Sequence, residues 1–122
     1  MHPNTTPAGK FTYSAVGSNT KVEVSNEPTV IFNISIEQNG GSAGFLQLYN
    51  NGTGDITAGV APTLVYAVGA GTFTAGTPAY RDISYPGGLG FNQGLSYLWA
   101  AGPTGTVSHG VNAALTIVRN NL

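Results

Sequence analysis

Two histidines, His2 and His109, are the only side chains here that ordinarily titrate near neutral pH. Acid–base chemistry at physiological pH would have to start from them. A hydrolytic set can be drawn on paper from a serine, His109 as base and Asp82 as its orienting carboxylate. The G-x-S-x-G pattern of a nucleophile elbow is expected to be missing, and no catalytic residue is expected. A zinc site needs three or four converging Cys, His or carboxylate ligands. The chain has no cysteine, and its two histidines stand at opposite ends. Calcium needs several oxygens with negative charge among them. Asp55 beside Asn50 and Asn51 is the sole grouping of that kind, and it reads as a solvated turn. No metal and no cofactor are expected.

Two glycine clusters imitate a dinucleotide fingerprint without completing it. After Gly69-Ala70-Gly71 the next glycine is Gly76, and after Gly88-Leu89-Gly90 it is Gly94, both too late for G-x-G-x-x-G. They read as turn and bulge glycines. Among the aromatics, Tyr66, Tyr80, Tyr85, Tyr97 and Trp99 could form a stacking platform for sugar rings. They could equally fill the core and protein interfaces, where Tyr and Trp are enriched, and that is the reading adopted. Sequons at Asn4, Asn33 and Asn51 are chance matches in an Asn/Thr/Ser-rich chain.

The elements that would hold these residues are strands. Glycine and proline recur too often for long helices, and the runs between them alternate with a two-residue period. In Thr29–Gln38, Val30, Phe32, Ile34 and Ile36 alternate with Ile31, Asn33, Ser35 and Glu37; in Val111–Arg119, Val111, Ala113, Leu115 and Ile117 share one face. Further strands are expected over Lys10–Val16, Lys21–Ser25, Gly44–Asn50, Thr63–Val68, Pro78–Tyr85 and Leu95–Ala101. Turns are expected at Asn39-Gly40-Gly41, Asn50-Asn51-Gly52, Pro86-Gly87-Gly88 and Gly102-Pro103. About eight short strands imply an all-β, single antiparallel β-sandwich, jelly-roll-like in its possible order. Residues 1–9 read as an extended N-terminal arm and residues 10–122 as the sandwich domain.

Several strands, Gly44–Asn50, Thr63–Val68 and Leu95–Ala101 among them, are apolar on both faces, whereas the outward face of a sandwich should be polar. Loops and the arm, or another protein, must cover them, and a protein neighbour is the expectation. Composition agrees with it. Charged residues are 7% of the chain, against roughly 25% in an average soluble domain, and charge is what keeps a free protein solvated and apart from its neighbours. With Lys+Arg 4 and a net charge of −1, binding to nucleic acid through phosphate neutralisation is not expected. No stretch approaches the ~20 apolar residues that span a bilayer. The first ten residues hold no apolar run of the secretory type, and from the absence of cysteine synthesis in a reducing cytoplasm is expected.

From Gly44 onward the order of features is familiar. Phe45-Leu46-Gln47-Leu48-Tyr49-Asn50-Asn51 leads through a Gly/Thr-rich loop to Pro62-Thr63-Leu64-Val65-Tyr66-Ala67-Val68. After a glycine hairpin comes Tyr85-Pro86-Gly87-Gly88-Leu89-Gly90-Phe91-Asn92-Gln93-Gly94-Leu95-Ser96. Over roughly residues 28–119 the chain resembles small β-sandwich structural proteins of tailed bacteriophages. The resemblance implies a non-enzymatic virion protein on the capsid surface. It would be a decoration or cement protein partnered by the major capsid protein or other virion proteins, and a homo-oligomer. The alternatives are a carbohydrate- or receptor-binding module of a fibre, or a tail or connector component. Contacts with the shell are expected on the Met1–Gly9 arm and near Gly52–Pro62 and Gly76–Gly90. Pro3, Pro7, Tyr66, Tyr80, Tyr85 and Trp99 are the expected interface residues.

Overall fold

Alternating apolar residues between closely spaced turns build eight strands in the computed structural model: β1 (Gly9–Ala15), β2 (Val22–Ser25), β3 (Thr29–Gln38), β4 (Gly44–Tyr49), β5 (Leu64–Val68), β6 (Ala79–Phe91), β7 (Leu95–Ala100) and β8 (Ala113–Asn121). The structure describes residues 9–15, 22–52, 61–70, 79–105, 107, 109–111 and 113–121. Of the expected arm, only Gly9 falls within them, as the first residue of β1.

The protein is an all-β sandwich of two antiparallel four-stranded sheets, ordered β1-β8-β3-β6 and β2-β7-β4-β5. The order follows one rule. β1 pairs with β8, β2 with β7, β3 with β6 and β4 with β5, as though one long hairpin with its tip between β4 and β5 had been drawn out and then rolled. Rolling adds two further pairings, β3 with β8 and β4 with β7, which close each sheet. This is the jelly-roll arrangement.

Between the sheets, Ile31, Ile34, Ile36, Leu115 and Ile117 meet Leu46, Leu48, Leu95, Tyr97 and Trp99 in one buried cluster. Buried Gln38 ties the sheets together at one end. Its amide nitrogen lies 2.9 Å from the Ser42 carbonyl oxygen, 3.2 Å from that of Val68 and 2.6 Å from that of Gly69, and its Oε1 accepts from Gly40 N–H. At the open side, the Arg81 guanidinium of β6 donates to Ala67 O of β5 at 2.9 Å and lies 5.3 Å from the Tyr66 ring centroid.

Two strand readings change. β6 runs on through Pro86-Gly87-Gly88, which the sequence presents as a turn. Asn33 pairs with Ser84 and Ile31 with Leu89, so Tyr85 to Gly88 all stand against Phe32 as a bulge. Pro86 has no N–H to give a ladder, which an edge strand tolerates. The same bulge breaks the alternation of β3. Ile31 faces the core with Ile34 and Ile36, while Val30 and Phe32 are only half-buried.

Candidate functional site

A two-layer sandwich has two outer faces, and here they differ in kind. On the β2-β7-β4-β5 sheet, Gln47, Tyr49, Ser96, Leu98 and Ala100 point away from the inter-sheet core, yet all are buried. The chain covers them itself. The Gln47 amide donates to Gly102 O at 3.0 Å and Gly105 O at 3.1 Å, and the Tyr49 hydroxyl donates to Gln47 Oε1. Ala101 N–H donates to Val107 O, closing the turn that lies across this face, and Ser96 Oγ donates to Asn51 O at 2.6 Å. Burial pushes the Tyr49 hydroxyl above its ordinary pKa of 10.0. Leu98 and Ala100 are therefore covered by the chain's own connections, while Phe45 and Val65 on the same face are half-buried and Ala67 is exposed. At Leu98 and Ala100 the cover is a loop, the first of the two covers the sequence allows, in place of the expected neighbour.

The outer face of the β1-β8-β3-β6 sheet is different. Asn33, Ser35, Asp82 and Ser84 form a ladder across β3 and β6. Asp82 Oδ1 accepts from Ser35 Oγ at 2.7 Å and from Asn33 Nδ2 at 3.1 Å, and Ser84 Oγ donates to Asn33 Oδ1 at 3.0 Å. Beside it a shallow pocket of about 110 Å³ is lined by Ser35, Ile36, Glu37, Tyr80, Ala114 and Thr116. Register explains the grouping: Glu37 pairs with both Tyr80 and Ala114, and Ser35 with both Asp82 and Thr116. Tyr80 is 64% exposed at the pocket wall.

The aromatic residues singled out in the sequence do not form one platform. Of these five, Tyr80 is the one exposed on the open face. Tyr66 and Tyr85 are half-buried and pack against the inter-sheet core, where desolvation raises the Tyr85 hydroxyl pKa. Tyr97 lies within that core. Trp99 is 2% exposed and donates from Nε1 to Val111 O at 2.9 Å. β7 is an inner strand of its sheet, and its alternation turns Tyr97 and Trp99 inward, so Trp99 is not a surface contact residue. Pro3, Pro7, His2 and Asp55 lie outside the described residues.

The paper triad is divided. Asp82 belongs to the polar ladder, whereas His109 packs on Trp99 with ring centroids 5.3 Å apart. His109 does meet a serine, and that serine corrects the expectation that G-x-S-x-G is missing. Gly40-Gly41-Ser42-Ala43-Gly44 matches the G-x-S-x-G spacing, and Ser42 Oγ lies 3.4 Å from His109 Nε2. Nε2 also lies 2.9 Å from the Ser42 carbonyl oxygen. A carbonyl only accepts, so Nε2 carries the proton and cannot take one from the hydroxyl. Nδ1, where a triad carboxylate would bind, is buried without a hydrogen-bond partner. The motif connects two strands, without the helix that follows a nucleophile elbow.

Packing accounts for both of its outer glycines. A Cβ on Gly40 would fall 2.6 Å from His109 Cε1, and one on Gly44 would fall 2.2 Å from Trp99 Cζ2. His109 and Ser42 thus clasp the β3–β4 and β7–β8 connections.

No protein-family model matches the chain, and no curated protein matches it.

Proposed function

We propose that this chain is a non-enzymatic structural protein of a phage particle, a decoration protein that seats on the capsid shell through the outer face of its β1-β8-β3-β6 sheet. The observation that supports this reading best is the contrast between the two outer faces. One is closed by the chain's own connections. The other offers a polar, largely uncharged ladder whose members already satisfy one another's hydrogen bonds. The described carboxylates on this face are Asp82, already hydrogen-bonded within the ladder, and Glu37, so covering it calls for a partner that meets Glu37, because an unpaired buried charge is costly. The 7% charged content and the resemblance over residues 28–119 point the same way. Many folds of this kind serve unrelated ends, so the face and not the fold carries the argument.

Cosedimentation with undecorated phage shells tests it. The wild-type chain is expected to bind at micromolar concentration with only weak dependence on salt, because few of the contacts are ionic. Ser84→Arg, exposed on the open face, is expected to abolish binding while leaving the thermal unfolding midpoint unchanged. Absence of wild-type binding at every salt concentration, or full binding by the arginine variant, would overturn the proposal.

A further inference from the structure

The pocket beside Tyr80 has a chemistry that the rest of the open face lacks. Glu37 is one of five acidic residues in the chain, and it is exposed with no ion pair or hydrogen bond among the described residues. It stands directly across the ladder from Tyr80. Asp82 lies in the next row, with Oδ1 engaged by Ser35 and Asn33. The described arginines do not neutralise this corner. Arg81 reaches over the sheet edge to Ala67 O and Tyr66, and Arg119 pairs in register with Ile31, toward the far end of β3. Lys10 of β1 pairs with Val118, four residues along β8 from the Glu37–Ala114 row, or about 13 Å away.

An exposed aromatic face, an unpaired carboxylate and the small floor of Ala114 together suit a planar cation. A guanidinium can stack on a tyrosine ring while donating two parallel hydrogen bonds to a carboxylate. An apolar occupant would leave the Glu37 carboxylate desolvated and unpaired. A phosphate would be repelled by both carboxylates. The protein already uses half of this chemistry internally, where the Arg81 guanidinium sits over Tyr66.

We infer that the pocket formed by Tyr80, Glu37, Ser35 and Thr116 is a receptor site for an arginine side chain of the protein on which this chain docks. The source of the arginine rests on the docking role proposed above; the pocket's preference for a guanidinium does not. The partner surface therefore presents an arginine opposite β6, making an ionic contact at Glu37, while the other described carboxylate of this face, Asp82, is held by Ser35 and Asn33.

Amide chemical shifts of the isotope-labelled chain, titrated with N-acetyl-arginine methylamide, test the pocket without any shell. Shifts are expected at residues 35–37, 80–82 and 114–116. The neutral isostere N-acetyl-citrulline methylamide should bind about tenfold more weakly, and Glu37→Gln should weaken arginine binding about tenfold. Glu37 is exposed, so this variant keeps the fold. Equal binding of citrulline, shifts scattered over the chain, or no shifts at all would overturn the inference. So would shifts with methyl glucoside but none with the arginine probe, which would make the pocket a sugar site. Arginine binding without shell binding would sink the docking role and leave the pocket assignment standing. Shell binding unaffected by Glu37→Gln would do the reverse.

Discussion

The outer faces of the two sheets are built from similar residues and end in different states. β4 and β7 point Gln47, Tyr49, Ser96, Leu98 and Ala100 outward, and β3 and β6 point Asn33, Ser35, Asp82 and Ser84 outward. Both sets are mostly small or neutral. The first is sealed at its middle because a glutamine presents an amide to the Gly102 and Gly105 carbonyls, beside the buried cluster of Tyr49, Leu98 and Ala100. The second is left open because its donors and acceptors bond sideways, strand to strand, and ask nothing of a loop. A neutral outward face therefore does not by itself mean a missing partner. What decides is whether its polar groups reach up to a loop or across to each other.

This contrast can be broken experimentally, most forcefully at Leu98. If the sealed face is a second small core, Leu98→Ala should cost about 2–5 kcal/mol in urea unfolding, whereas a loss below about 0.5 kcal/mol would place Leu98 on an ordinary surface. Next comes the clamp. Gln47→Ala removes the amide that holds Gly102 and Gly105 and leaves their carbonyls to find water, for a loss of about 1–3 kcal/mol. Its sharper readout is hydrogen exchange at the Ala101 amide, bonded to Val107 O. That exchange should accelerate, and unchanged protection would mean the turn is held by something else.

Alkaline pH sharpens the comparison further. In the folded chain the Tyr49 hydroxyl holds its proton above pH 10.0, because burial disfavours the phenolate. The unfolded tyrosine releases its proton from about pH 10. Above that point the unfolded state binds fewer protons than the folded one, so stability falls as pH rises. Denaturant titrations should show stability insensitive to this group below pH 10 and declining beyond it. Tyr49→Phe should lose part of that decline, and an identical slope in the variant would count against burial of this hydroxyl. The smallest effect belongs to the open face. Tyr80→Ala should change stability by less than about 0.5 kcal/mol, and a larger loss would show that Tyr80 supports the fold.

Much of the fold was legible because the alternation of β8 and the length of β3 are direct consequences of a two-residue period. The bulge was not. Tyr85-Pro86-Gly87-Gly88 has the residues of a turn, and only pairing with β3 shows that the strand resumes at Leu89. The inward facing of Ile31 depends on that same bulge and was hidden with it. The site was legible in part. Tyr80 stood among the aromatic candidates, but Glu37, Ser35, Ala114 and Thr116 come together only through a register spanning three strands. Trp99 misled because an aromatic in a run that is apolar on both faces carries no mark of which side its sheet will bury. Ser42 was missed although its glycine spacing was in plain view, and the same two glycines turned out to make room for rings.

The rolled-hairpin order has a consequence in time. β1 finds its only pairing partner in β8, about 100 residues later in the chain. At ribosomal rates of 5–20 residues per second, β1 waits roughly 5–20 s before β8 exists to receive it. Among the described strands, β4 and β5 are the one pair consecutive in the chain, and every other pairing joins strands further apart in sequence. The outermost seam, β1 against β8, is the last to close.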